Sequence, residues 1–259
     1  MSRRVVVTVL AVLLLTALAL PGCFSEVIAG SGNLITEEED LRDFNRIEVS
    51  SAFEVEVVQS DVFSVSITAD GNLFQYIKVS QSGETLKIDL KRGSYHFTDY
   101  QARITMPDLY ELTLSGATRG AVRGFSSVHN FSTRLSGANS LDIFSLSSGD
   151  VDFNLSGASR VIGSLNAGDA EFSLSGASAI QLVGSADDVA IDASGASSVE
   201  FTGFVVNNVD ISLSGASSGL INMDGRLDAD LSGASRLSYV GQPTMGDISI
   251  SGASTLHKR

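Results

Sequence analysis

The chain is poor in the residues from which most reactive centres are built. Of its 259 residues, one is cysteine, three are histidine and none is tryptophan. A single cysteine excludes an internal disulfide and a cysteine metal site. His96, His129 and His257 are far apart, with no metal-ligand spacing, and read as surface histidines. Without tryptophan, the stacking platform of many glycan binders is missing. Positive charge is scarce too: 17 Lys and Arg against 30 Asp and Glu leave a net charge of −13. That balance argues against nucleic acid, whose phosphates need a basic surface. No phosphate-binding loop or dinucleotide fingerprint occurs. No catalytic residue, metal ligand or cofactor is assigned from the sequence.

What is present begins with a targeting segment. Arg3 and Arg4 precede an apolar run from Val5 to Ala19, broken only by Thr8 and Thr16. The run is too short for a comfortable membrane span. It leads into Leu20-Pro21-Gly22-Cys23, which resembles the lipobox of bacterial lipoproteins. The resemblance implies cleavage after residue 22 and acylation of Cys23. Two or three acyl chains hold a protein stably on a bilayer, where one is marginal. The expected location is therefore extracytoplasmic, on a bacterial cell membrane or outer membrane. Residues 23–43, with Glu37-Glu38-Glu39-Asp40, read as a polar tether.

From Phe44 the pattern has period two. Phe53, Val55 and Val57 alternate with Glu54 and Glu56, and Leu86, Ile88 and Leu90 with Lys87 and Asp89. This is the half-buried strand signature. Residues 44–105 are expected to form an N-terminal β region capping a solenoid.

That solenoid is written as a repeat over residues 106–259. Ser-Gly-Ala occurs eight times, with glycines at Gly116, Gly137, Gly157, Gly176, Gly195, Gly215, Gly233 and Gly252, in steps of 18 to 21 residues. Each unit has a strand ending in Leu, Ile or Ala, the small-residue corner, and a second strand with apolar residues three and often five places on. Leu141 with Ile143, Ile180 with Leu182, Val199 with Phe201 and Leu237 with Tyr239 are such pairs. A looser third side holds Leu165, Val205 or Leu227. One unit cannot bury its apolar face alone; stacked units share a core and pair their backbones. The expected fold is all-β: a parallel β-helix of about eight coils of about 19 residues. The glycines are structural corners. The small polar residue after each alanine should satisfy backbone groups at the bend. Asp150, Asp169, Asp188 and their fellows sit at turn-like positions and read as residues capping their own backbone. The segment Arg92–Tyr100 is dense in aromatics; its Tyr95, His96 and Tyr100 pack at the cap or contact a ligand.

Several runs together resemble a known family. They are Phe44-x-x-Ile47-x-Val49-Ser50-Ser51-Ala52-Phe53, Ala69-Asp70-x-Asn72-Leu73, Gly83-x-Thr85-Leu86-x-Ile88, and Ile104-Thr105-Met106-Pro107-Asp108-Leu109 leading into Leu114-Ser115-Gly116-Ala117. Over residues 44–256 they are similar to the putative auto-transporter adhesin, head GIN domain family. That resemblance implies a right-handed parallel β-helix outside the cytoplasm, often as a lipoprotein, with no catalytic or binding residues to carry over.

The leading expectation is a non-enzymatic, lipid-anchored envelope protein of adhesin-like role, meeting a membrane through Cys23 and a glycan or another envelope component through its surface. A polysaccharide lyase or hydrolase on the same fold is one rival. It requires an Arg or Lys and two carboxylates converging in a groove. The other is a calcium-stabilised structural rod, sensitive to chelator.

Overall fold

The computed structural model describes residues 27–96 and 98–259. Cys23, the leader and the first residues of the expected tether lie outside the described residues. About 67% of the residues are strand, and the one helical turn among the described residues is the 3-10 segment Gly71–Tyr76.

Two long faces are built by parallel, in-register stacking. The first runs through Glu111–Gly116, Phe131–Gly137, Val151–Gly157 and Ala170–Leu174. It continues through the later parts of Ala179–Ala193 and Ser198–Leu213, then Arg226–Leu231 and Thr244–Ile250. The second face runs through Arg119–Ser126, Ser140–Ser147 and Arg160–Asn166. It continues through the earlier parts of the same two long strands, then Ser218–Met223, Arg236–Val240 and Thr255–Lys258. The chain is thus a parallel β-solenoid. Its eight Ser-Gly-Ala corners bound seven full turns.

Alternation along each strand sends every second side chain inward. Register then places like on like: Leu114, Leu135, Leu155 and Leu174 form one buried column. Beside it Phe153 packs on Phe172 with ring centroids 5.4 Å apart. Full burial of such a side chain is worth about 1.5–3 kcal/mol.

The second-face strands bend, and positive φ at Gly124, Ser145 and Gly184 marks the bend. Beyond it Phe125, Leu146, Leu165, Ala186, Val206 and Met223 form a short, buried third side. Two expectations for that side need correction. Val205 lies between inward Phe204 and Val206, so alternation turns it to solvent, 51% exposed. Leu227 belongs to the first face, paired with Val209.

The start of the domain is interleaved. Arg46–Val49 pairs with Glu111–Gly116 on one side and with Thr85–Leu90 on the other. Glu54–Gln59 likewise pairs with both Arg119–Ser126 and Tyr100–Met106. The coil containing residues 46–59 is therefore sandwiched between 85–106 below and 111–126 above. Below that lowest coil the pairing turns antiparallel: Ser64–Asp70 on Tyr100–Met106, Leu34–Glu39 on Ser64–Asp70, and Ile77–Ser82 on Thr85–Leu90. Part of the expected tether is strand: Leu34–Glu39, and Val27–Ala29, which pairs with Ser94–His96.

Candidate functional site

The corners set what the surface can display. At seven of the eight the hydroxyl or amide after alanine turns inward and bonds the carbonyl three residues back. Thr118 Oγ1 donates to Ser115 O at 2.9 Å, Asn139 Nδ2 to Ser136 O at 2.8 Å and Ser178 Oγ to Ser175 O at 2.9 Å. All three side chains are buried. The glycines stack so closely that a Cβ on Gly157 would meet Gly137 O at 2.4 Å. The corners thus hold no open chemistry.

The aspartates at the third turn form a ladder, and their partner is the next coil rather than their own backbone. Asp150 Oδ1 accepts the Asp169 amide at 3.0 Å, and Asp169 Oδ1 accepts the Asp188 amide at 3.1 Å. Asn130 Oδ1 does the same for the Asp150 amide at 2.9 Å, and Asn208 Oδ1 for the Arg226 amide at 2.8 Å.

Between this ladder and the outward row Asp152, Glu171 and Asp210 runs a groove of about 640 Å³ on the first face. Its floor is Val151, Ala170, Val189 and Val209, and its walls carry seven carboxylates and one guanidinium, Arg226. Arg226 grips Asp228 with Nε at 2.7 Å and Nη2 at 2.6 Å, and reaches Asp247 at 3.5 Å. The hydrogen bonds from Arg226 hold the Asp228 carboxyl below its usual range, and Asp228 in turn raises Arg226. At the other end of the groove His129 stacks beside Tyr110, ring centroids 4.8 Å apart, with its Nδ1 2.8 Å from Asp108 Oδ2. No group of three or more His, Cys, Asp or Glu poised to hold a metal occurs among the described residues.

A second groove, of about 450 Å³, crosses the outer second face near the interleaved start. Glu56 sits at its centre, with Arg103 Nη1 2.7 Å from Oε2 and Arg123 Nε 2.7 Å from Oε1. Arg123 also lies over the Phe144 ring, 3.9 Å from its centroid. Sequence reading missed this cluster. Its members do fall at outward positions of alternating strands. They come from residues 56, 103, 123 and 144, and only the out-of-order stacking makes them neighbours.

The aromatic segment is divided by depth. Tyr100 is 3% exposed and packs against Phe53 and Tyr95, at 5.3 and 6.1 Å between ring centroids. Tyr95 is half-buried against Tyr76, and its hydroxyl donates to the Lys91 carbonyl. Burial pushes both phenols up. His96 is exposed at the end of its short strand. No helix among the described residues is long and apolar enough to cross a membrane.

Comparison with known proteins fits this geometry. Residues 43–243 match the model of the family described as putative auto-transporter adhesin, head GIN domain. A crystal structure of a putative adhesin from Parabacteroides distasonis superposes with a TM-score of 0.83 at 19% identity, covering 90% of this chain and 100% of that one. One from Parabacteroides merdae gives 0.80 at 20% identity, covering 90% and 99%. A third, described as a putative lipid binding protein from Parabacteroides distasonis, gives 0.78 at 20% identity, covering 90% and 100%. At such identities the likeness shows the fold. No curated protein matches the chain in sequence.

Proposed function

Because the chain belongs to the putative auto-transporter adhesin, head GIN domain family, we propose that it is a non-enzymatic binding rod of the bacterial envelope. It is held to a membrane by acylated Cys23 and meets a glycan or another envelope component through its flanks. The leader and the lipobox-like Leu20-Pro21-Gly22-Cys23 support the anchor. The observation that carries the binding role is the pair of open grooves along the stack, whose arginines are largely tied to neighbouring carboxylates. The first groove, with seven carboxylates, disfavours nucleic acid.

One observation favours the enzymatic rival. Arg226, Asp228 and Asp247 do bring a guanidinium and two carboxylates together at a groove. Against it, the guanidinium is committed to Asp228 by two hydrogen bonds. The deciding experiment incubates the full chain, purified in detergent, with soluble polysaccharides and follows chain length and unsaturated products. Binding without turnover supports the reading. Turnover that Arg226→Ala or Asp228→Asn abolishes overturns it. For the anchor, Cys23→Ser should move the chain from the membrane fraction to the soluble one; a mutant that stays on the membrane refutes acylation as the tether.

A further inference from the structure

The second-face groove differs from everything else on this acidic rod, and we infer that it is an oligosaccharide subsite for an uncharged chain. The inference rests on the binding reading above and assigns that reading a place and a ligand chemistry.

Its centre is fixed before any ligand arrives. Arg103 and Arg123 each bond one oxygen of Glu56, and Arg123 is further held over Phe144. A bidentate carboxylate between two guanidiniums, with one guanidinium stacked on a ring, leaves few rotamers free, so little entropy is lost when a ligand docks. Around this centre stand groups that form no ion pair with any described residue: the guanidinium of Arg119 and the carboxylates of Glu54 and Asp142. The Gln101 amide and the Ser140 hydroxyl stand with them. They project from adjacent strands of one sheet, so donors and acceptors recur about every 4.8 Å across the groove.

Charge selects the ligand. The groove holds three arginines and three carboxylates, Glu54, Glu56 and Asp142, and so sums to zero. A polyanion would be repelled by a body of net charge −13. A polycation would go instead to the first-face groove, with its seven carboxylates. Alternating planar donors and acceptors, with an aromatic ring 48% exposed at the rim, suit vicinal hydroxyls and the apolar face of a sugar. At about 450 Å³ the groove lies within the ~300–1,000 Å³ usual for ligand sites. The backbone here is already paired on both sides, so a peptide could not add to it as a strand.

The test titrates the full chain, in detergent, with chitotetraose and maltotetraose, both uncharged, and with oligogalacturonate and spermine as charged controls. Saturable binding of a neutral tetrasaccharide is expected, weakened at least about tenfold by Arg119→Ala and by Phe144→Ala, which is the loss of roughly one charge-assisted hydrogen bond or one ring contact. Both side chains are exposed, so melting temperature should hold, and Glu200→Gln, exposed and outside both grooves, should bind like the parent. Three results overturn the inference: no neutral sugar bound by folded protein, binding indifferent to both substitutions, or preference for oligogalacturonate. None of these touches the envelope-binding reading if the chain still adheres to isolated envelopes. Polysaccharide turnover would overturn that reading even with this groove occupied.

Discussion

Gly116 lies directly on Ser51. A Cβ on Gly116 would stand 2.9 Å from the Ser51 carbonyl oxygen, and Ser51 itself adopts φ 79. That carbonyl accepts the Ala117 amide at 3.0 Å and shares the Thr118 hydroxyl, whose Oγ1 lies 2.9 Å away, with the Ser115 carbonyl. Ser50-Ser51-Ala52 is therefore a further corner of the same column, with serine where the other corners have glycine. Its hydroxyl offsets part of the strain by donating to Asp89 at 3.1 Å.

The two contributions can be separated at that position. Ser51→Ala keeps the left-handed strain and loses the bond to Asp89. Ser51→Gly loses the same bond and relieves the strain, which is about 1–2 kcal/mol. The glycine variant should thus be more stable than the alanine variant by about 1 kcal/mol. Equal denaturant midpoints for the two would refute the account of Ser51 as a strained corner.

Asp89 gives the corner a pH dependence. Burial alone would raise its carboxyl, but bonds from Ser50, the Leu90 amide and Ser51, with Lys78 nearby, hold it below 3.8. A folded-state value below the unfolded one adds stability that is complete above pH 3.8 and is lost as pH falls through the folded value. Asp89→Asn should accordingly be less stable than the parent at pH 7, and the gap should close below pH 3.8. Melting curves run from neutral pH down through that value check this; a gap that widens in acid would be the wrong sign.

Two glycines with similar backbone angles should respond very differently to alanine. Gly124 has φ 74 and nothing within 4 Å of where a methyl would stand, so Gly124→Ala meets only the strain of about 1–2 kcal/mol. Gly157 has φ 78, but its methyl would stand 2.4 Å from Gly137 O, backbone against backbone. Gly157→Ala must also push two coils apart, and the total is about 2–5 kcal/mol. Similar losses from the two substitutions, measured by denaturant unfolding, would refute close corner stacking.

The repeat was legible because it is written in residue types that the geometry demands. Glycine spacing located the corners from Gly116 to Gly252, and the pairs Leu141 with Ile143 and Ile180 with Leu182 located inward faces that are buried in the structure. Ser51 escaped because a corner without glycine breaks the pattern while keeping the shape. The interleaving of 46–59 between 85–106 and 111–126 escaped for a different reason. Alternation tells which way a side chain points, not which strand lies beside it. The groove around Glu56 inherits that gap, since Arg103 and Arg123 reach the same carboxylate from coils on its opposite sides. The aspartate ladder was half legible: turn chemistry marked the residues, but their acceptors serve the coil above.

Asp169 tests what that ladder costs and what it contributes. It sits between Asp150 and Asp188 in register, about 4.8 Å from each, and like charges stacked across strands are destabilising by roughly 0.2–1 kcal/mol. Its Oδ1 accepts the Asp188 amide at 3.1 Å, a bond worth about 0.5–1.5 kcal/mol. Asparagine keeps that acceptor and removes the charge, as Asn130 and Asn208 already do at the two ends. Asp169→Asn should therefore melt at or above the parent temperature, and Asp169→Ala below it. The advantage of asparagine should shrink as salt is raised from about 10 to about 300 mM, because exposed charges this close are screened. An asparagine variant that melts like the alanine variant would mean the carboxylate is wanted for its charge, and the ladder would then have to be reconsidered as a cation-binding device.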